Sequence, residues 1–180
     1  LRDLDMNPNA ARSELADSTE TRLKWLKADR EAYESSKDPA IRYAVAVMPT
    51  LLAQEEEHLA RFDAMIADRG VRPTALQPFW SAAGYTLGAV TALIGPEAAM
   101  ACTAAVEEEI DRHYSRQLEE LEAKGDDPEL ASVIEEFRED ERAHRDAALA
   151  AGAERAPAFP LLSGAIRLGC RIAIRLSEKV

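Results

Sequence analysis

Helical periodicity runs through most of this 180-residue chain, and no stretch alternates apolar with polar residues as a half-buried strand would. Prolines and glycines cut the pattern into helix-length pieces. The spacing predicts a first helix over Ser13–Ser36, closed by the turn Ser35-Ser36-Lys37-Asp38-Pro39, with Pro39 suited to the first position of the next helix. That second helix should reach about Asp68, and Pro49 inside it should kink or split it. A third helix is expected from Pro96-Glu97 to about Lys124. After the breaker Gly125-Asp126-Asp127-Pro128, a fourth should run to about Ala151. Beyond the linker at 156–160, a last helix covers about Leu161 to Ser177. Residues 1–12 read as an irregular tail. The expectation is a single all-α domain over 1–180, a length that suits one substantial core.

Charge and cysteine usage narrow the classes of function. A net charge of -11 argues against a nucleic-acid partner, because phosphate binding calls for a basic face. Cys102 and Cys170 each lie in an apolar stretch, which predicts reduced, buried thiols rather than a disulfide. No signal or transit peptide is expected. From Pro73 to Pro96 there is no charged residue, a length that satisfies the crude rule for a membrane span. Its content is mixed, with Gln77, Ser81, Thr86 and Thr91 among several prolines and glycines. The reading is therefore a helix buried in the core or dipping into one leaflet. In the last helix Arg167, Arg171 and Arg175 recur every four residues and form one basic stripe on an apolar helix. Such a stripe suits either an anionic membrane surface or the acidic bundle.

The three histidines carry the chemistry. Glu55-Glu56-Glu57-His58 puts Glu55 and His58 on one helix face, and Glu141-Arg142-Ala143-His144 repeats that pattern on the fourth helix. On the third helix Glu107 follows the apolar run Ala101–Val106, where a buried carboxylate needs a partner such as a metal ion. Glu108 and Glu109 are expected to be solvated. Two Glu-x-x-His pairs with single carboxylates from two further helices are the ligand set of ferritin-like di-iron bundles. If the first two helices are antiparallel, the residue level with Glu55 lies near position 20. Glu20 is therefore the ligand expected from the first helix, with Asp17 and Glu31 as alternatives. The fold expected is a ferritin-like four-helix bundle with an additional hydrophobic helix and an additional C-terminal helix.

From Gln54 to the C-terminus the chain resembles the demethoxyubiquinone hydroxylase family, membrane-associated di-iron enzymes of ubiquinone biosynthesis. The resemblance rests on Gln54-Glu55-Glu56-Glu57-His58-Leu59-Ala60-Arg61-Phe62, Val71-Arg72-Pro73-Thr74, Ala99–Thr103, Ala105–Glu108 with His113-Tyr114, and Leu176-Ser177-Glu178. It implies metal ligands at Glu55, His58, Glu107, Glu141 and His144. It also implies that His113 and Tyr114 stand beside the site and help deliver protons or electrons from reduced nicotinamide. The implied cofactors are two iron ions, with O2 as co-substrate and NADH as a donor. The implied reaction is hydroxylation of a demethoxy polyprenyl-benzoquinone that reaches the iron through the uncharged Pro73–Pro96 region. A peripheral protein on the cytoplasmic face of a bacterial inner membrane follows, as a homo-oligomer or in a biosynthetic complex. The first helix departs from the family's Asp-His-Ala-Gly-Glu-Tyr-Gly-Ala type motif, and Asp17-Ser18-Thr19-Glu20 is the nearest remnant. This departure defines the rival reading, a non-catalytic relative that binds quinone or lipid with an incomplete metal site.

Overall fold

The computed structural model describes Lys37, residues 39–125 and residues 127–179. Among them the fold is all-α, with helices α1 (Pro39–Asp68), α2 (Gln77–Ile94), α3 (Pro96–Lys124), α4 (Pro128–Ala150) and α5 (Phe159–Ser177) and a 3-10 turn at Ala153–Arg155. The helix expected over 13–36, with Asp17, Glu20 and Glu31, lies outside the described residues. The arrangement is ferritin-like: α1, α3 and α4 belong to the bundle, and α2 and α5 are additional helices packed against α3.

Local chemistry sets the helix ends. Pro96 and Pro128 sit in the first turns of α3 and α4, where a missing N–H leaves no bond unmade. Gly125 ends α3 in the left-handed region at φ 63°, which glycine adopts without a Cβ penalty. The Asp127 carboxylate then accepts the Leu130 N–H at 3.1 Å and caps α4.

Helix α3 is the centre of the packing. Its first half is lined by Ala98, Ala101 and Ala104, which let α4 and the turn after it approach closely through Ala148, Ala151 and Ala153. Another face of α3 buries Cys102 and Ala105 against Ile166 of α5, with Leu87 of α2 beside them. The pairings give the directions. Asp111 accepts from Arg138 and Arg142 while Ala98 packs near Ala148, so α4 runs antiparallel to α3. Ile166 meets Ala105 and Arg171 meets Glu109, so α5 runs parallel to it.

Several sequence expectations are resolved by the structure. Pro49 does not split its helix: α1 continues unbroken through it, because one missing donor in a 30-residue helix is outweighed by propagation on both sides. The uncharged helix is not buried in the core. Thr91 is the buried residue of α2, while Phe79, Tyr85, Val90, Leu93 and Ile94 are exposed, since one face suffices to contact α3. No helix among the described residues is long and apolar enough to cross a membrane. The stripe on α5 turns partly inward: Arg167 donates to Glu108 at 2.6 Å and Arg171 grips Glu109 at 2.7 and 2.9 Å. Glu109 is accordingly buried and paired, not solvated, and Glu108 is half-buried between Arg112 and Arg167. The apolar side of α5 faces outward through Leu161, Leu168, Ile172 and Leu176. Both cysteines are free thiols, as expected; Cys102 is buried and Cys170 half-buried.

Candidate metal centre

Glu55 and His58 project from α1, Glu107 from α3, and Glu141 and His144 from α4. The three-residue spacing places each Glu beside its own His on one face, and the bundle turns these faces toward each other. One ligand atom each from Glu55, Glu107, Glu141 and His144 lies within 4.8 Å of all the others. Glu107, Glu141, His144 and His58 are buried, and Glu55 is exposed. His58 stands next to the cluster, its Nδ1 3.5 Å from Glu141 Oε1. Glu20 lies outside the described residues.

Three carboxylates in so small a volume cannot all carry charge without a cation. Burial, the facing charge of Glu141 and a hydrogen bond to it push the Glu107 carboxyl up to about 9. Burial also raises Glu141, but hydrogen bonds from His144 and Glu107 outweigh it and hold this carboxyl below its usual value. Hydrogen bonds to Glu141 and Glu55 raise the His144 imidazole to about 10. In the metal-free chain, then, Glu107 and His144 hold protons between the carboxylates.

The two imidazoles are oriented reciprocally. His58 Nε2 donates to Asp140 Oδ2 of α4 at 3.1 Å, and His144 Nε2 donates to Gln54 Oε1 of α1 at 3.2 Å. Each histidine therefore directs Nδ1 inward: His144 Nδ1 lies 3.3 Å from Glu141 and 3.4 Å from Glu55. Phe137 stacks on the His58 ring at 3.8 Å between centroids and fixes its plane. Sequence reasoning missed Asp140, Gln54 and Phe137. A polar residue four positions before each histidine was the available signal, but it suggests a contact within one helix, and the real contacts cross between helices.

Tyr114 and His113 are consecutive on α3 and diverge by about 100°. Tyr114 faces the cluster: burial first, then the charges of Glu141, Glu55 and Glu107, push its phenol far above the ordinary value. His113 faces away, into a cleft of about 950 Å³ between α2, α3 and α5 lined by Trp80, Gln117 and Ser177. Burial and then Arg116 hold its imidazole below the ordinary value, so it stays neutral.

The donor set suits a hard or borderline cation. Carboxylate oxygens and imidazole nitrogens match iron, and His58 Nδ1, Glu107 Oε2 and Glu141 Oε2 are buried without a well-formed hydrogen bond among the described residues. Buried atoms so weakly satisfied fit metal ligation.

Helical bundles that bring two Glu-x-x-His segments together in the core are ferritin-like carboxylate–histidine proteins, and the fold and cluster point to that class. More narrowly, the chain belongs to the COQ7 family: residues 28–177 match the family described as "Ubiquinone biosynthesis protein COQ7". It is 55% identical over 137 residues to the 3-demethoxyubiquinol 3-hydroxylase of Rhodospirillum rubrum, covering 76% of this chain and 63% of that protein. It is 45% identical over 138 residues to the mitochondrial NADPH-dependent 3-demethoxyubiquinone 3-hydroxylase of Homo sapiens, covering 74% and 63%. The mitochondrial 5-demethoxyubiquinone hydroxylase of Saccharomyces cerevisiae is 38% identical over 147 residues, with 74% and 63% covered. The chain thus spans 63% of the length of each of these relatives.

Proposed function

We propose that this protein is a di-iron monooxygenase that hydroxylates a demethoxy polyprenyl-quinone in ubiquinone biosynthesis, the activity in its relatives' names. The observation that carries the reading is the meeting of Glu55, Glu107, Glu141 and His144 within 4.8 Å around buried, weakly satisfied oxygens. In this reading Glu55, His58, Glu107, Glu141 and His144, with Glu20 from the first helix, would hold the iron. Iron would supply a reducible centre that activates O2.

The chain's own residues set the conditions around it. The carboxylates offset the metal charge, and Asp140 and Gln54 hold the imidazoles with Nδ1 inward. On the α3 and α4 side the burial of Glu107, Glu141 and His144 limits the access of water to the centre. Tyr114 retains its phenolic proton beside the cluster, ready as a hydrogen-bond donor. Neutral His113, in the cleft on the other side, can accept a proton where a reduced nicotinamide would approach. The exposed apolar faces of α2 and α5 suit a polyprenyl tail and a membrane surface, the inner face of a bacterial inner membrane in this proposal.

The test is iron content after anaerobic Fe2+ loading, followed by O2 exposure with a Mössbauer spectrum and mass analysis of the quinone. About two irons per chain, a coupled diferric signal and a product heavier by one oxygen are expected. Glu141→Ala or His144→Ala should abolish both iron binding and hydroxylation. Hydroxylation that survives either substitution would show that the mechanism is wrong.

A further inference from the structure

Glu107 and Glu109 lie about 200° apart around α3, so the helix serves two unrelated sites. On the Glu109 side, α3 and α5 enclose a cleft of about 450 Å³ whose polar wall is built by Arg112, Arg116, Arg171 and Arg175 around that one carboxylate. None of the residues gathered in the metal cluster lines it. The parallel packing of the two helices explains the convergence. Two arginines four residues apart on α3 face two arginines four residues apart on α5.

The charges do not balance within the cleft. Glu109 takes both bonds from Arg171 and one from Arg112 at 2.8 Å, and Arg112 also pairs with Glu108. Arg116 and Arg175 make no ion pair with any described carboxylate; Arg116 approaches only His113 Nδ1, at 3.4 Å. Two exposed guanidiniums in one concavity, with no ion-pair partner among the described residues, leave their N–H donors open to a bound anion. Planar guanidiniums present paired N–H donors that match phosphate oxygens, and phosphate takes several such donors at once. The cleft shares Arg116 and Ile174 with the larger cleft holding Trp80 and His113, which leaves room for the rest of a phosphate-bearing molecule.

We propose that this arginine cleft between α3 and α5 binds a phosphate group of an organic phosphate, anchored by Arg116 and Arg175. Two sources share that chemistry: a soluble phosphate compound, and the headgroup of an anionic lipid, since Leu168, Ile172 and Leu176 expose an apolar stripe on the same helix.

The test measures inorganic pyrophosphate binding to the full iron-loaded chain by calorimetry, alongside flotation with phosphatidylcholine vesicles with and without phosphatidylglycerol. Arg116→Gln and Arg175→Gln are compared singly and together; both side chains are exposed, and circular dichroism verifies the fold. Saturable pyrophosphate binding that the double variant weakens at least ten-fold establishes a site for a soluble phosphate. Binding confined to phosphatidylglycerol vesicles, and lost in the double variant while apolar association with neutral vesicles persists, establishes a headgroup site. Absence of both, or binding unchanged in the double variant, overturns the proposal.

Discussion

At the scale of single residues, the metal-free cluster stores protons. With Glu107 near 9 and His144 near 10, both are protonated at pH 7, and both must lose the proton to ligate. Iron loading at pH 7 should therefore release about two protons, and apparent affinity should rise with pH until both groups ionise unaided. The dependence of the calorimetric binding enthalpy on buffer ionisation enthalpy measures this number. A value near zero would mean that these groups do not become ligands. The reciprocal hydrogen bonds are a second residue-level device. Asp140→Ala frees the ring of His58 and Gln54→Ala frees that of His144 without removing a ligand, so iron affinity should fall about 10–100-fold in each. Equilibrium competition against a chelator reads the loss.

At the scale of elements, the docking of α5 on α3 depends on the buried Glu109 carboxylate, whose affinity for protons is lowered first by the Arg171 hydrogen bonds. A carboxyl depressed on folding adds stability above its unfolded value of about 4.3, and that stability disappears as pH falls through the lower folded value. Glu109→Gln should lower Tm by about 2–4 °C at pH 7, and the gap between variant and parent should close below about pH 4. Thermal melts across that range supply the comparison; a gap that persists in acid would assign the effect to packing. The fate of Glu109 also marks a limit of reading along one helix. Three consecutive glutamates give no sign of which faces a neighbour, whereas Arg167 and Arg171 on α5 select Glu108 and Glu109 once the helices are parallel.

At the scale of the whole molecule, the unusual property is an apolar exterior on two helices of an acidic protein. Leu93 is 88% exposed and Tyr85 82%, so replacing them leaves the core intact. Leu93→Asp with Tyr85→Asp should abolish co-sedimentation with phospholipid vesicles while circular dichroism and iron content stay unchanged. Retained sedimentation would mean that α2 is not the docking face.

Much of this architecture is legible without coordinates, because its determinants are local. Helix ends follow from Pro96, Pro128 and Gly125, whose backbone preferences act within a few residues. The juxtaposition of Glu55 with His58, and of Glu141 with His144, follows from helical geometry alone. What no local rule contains is which helix lies against which, and in what direction. That decided the exposure of α2, because burial depends on partners and not on charge content. It decided the crossing of Asp140 to His58 and Gln54 to His144, contacts that spacing along one helix does not contain. It also separated Tyr114, facing the cluster, from His113, facing the outer cleft, since a 100° turn acquires meaning only when different helices occupy the two sides. Spacing within a helix is a property of the chain; proximity between helices is a property of the packed core.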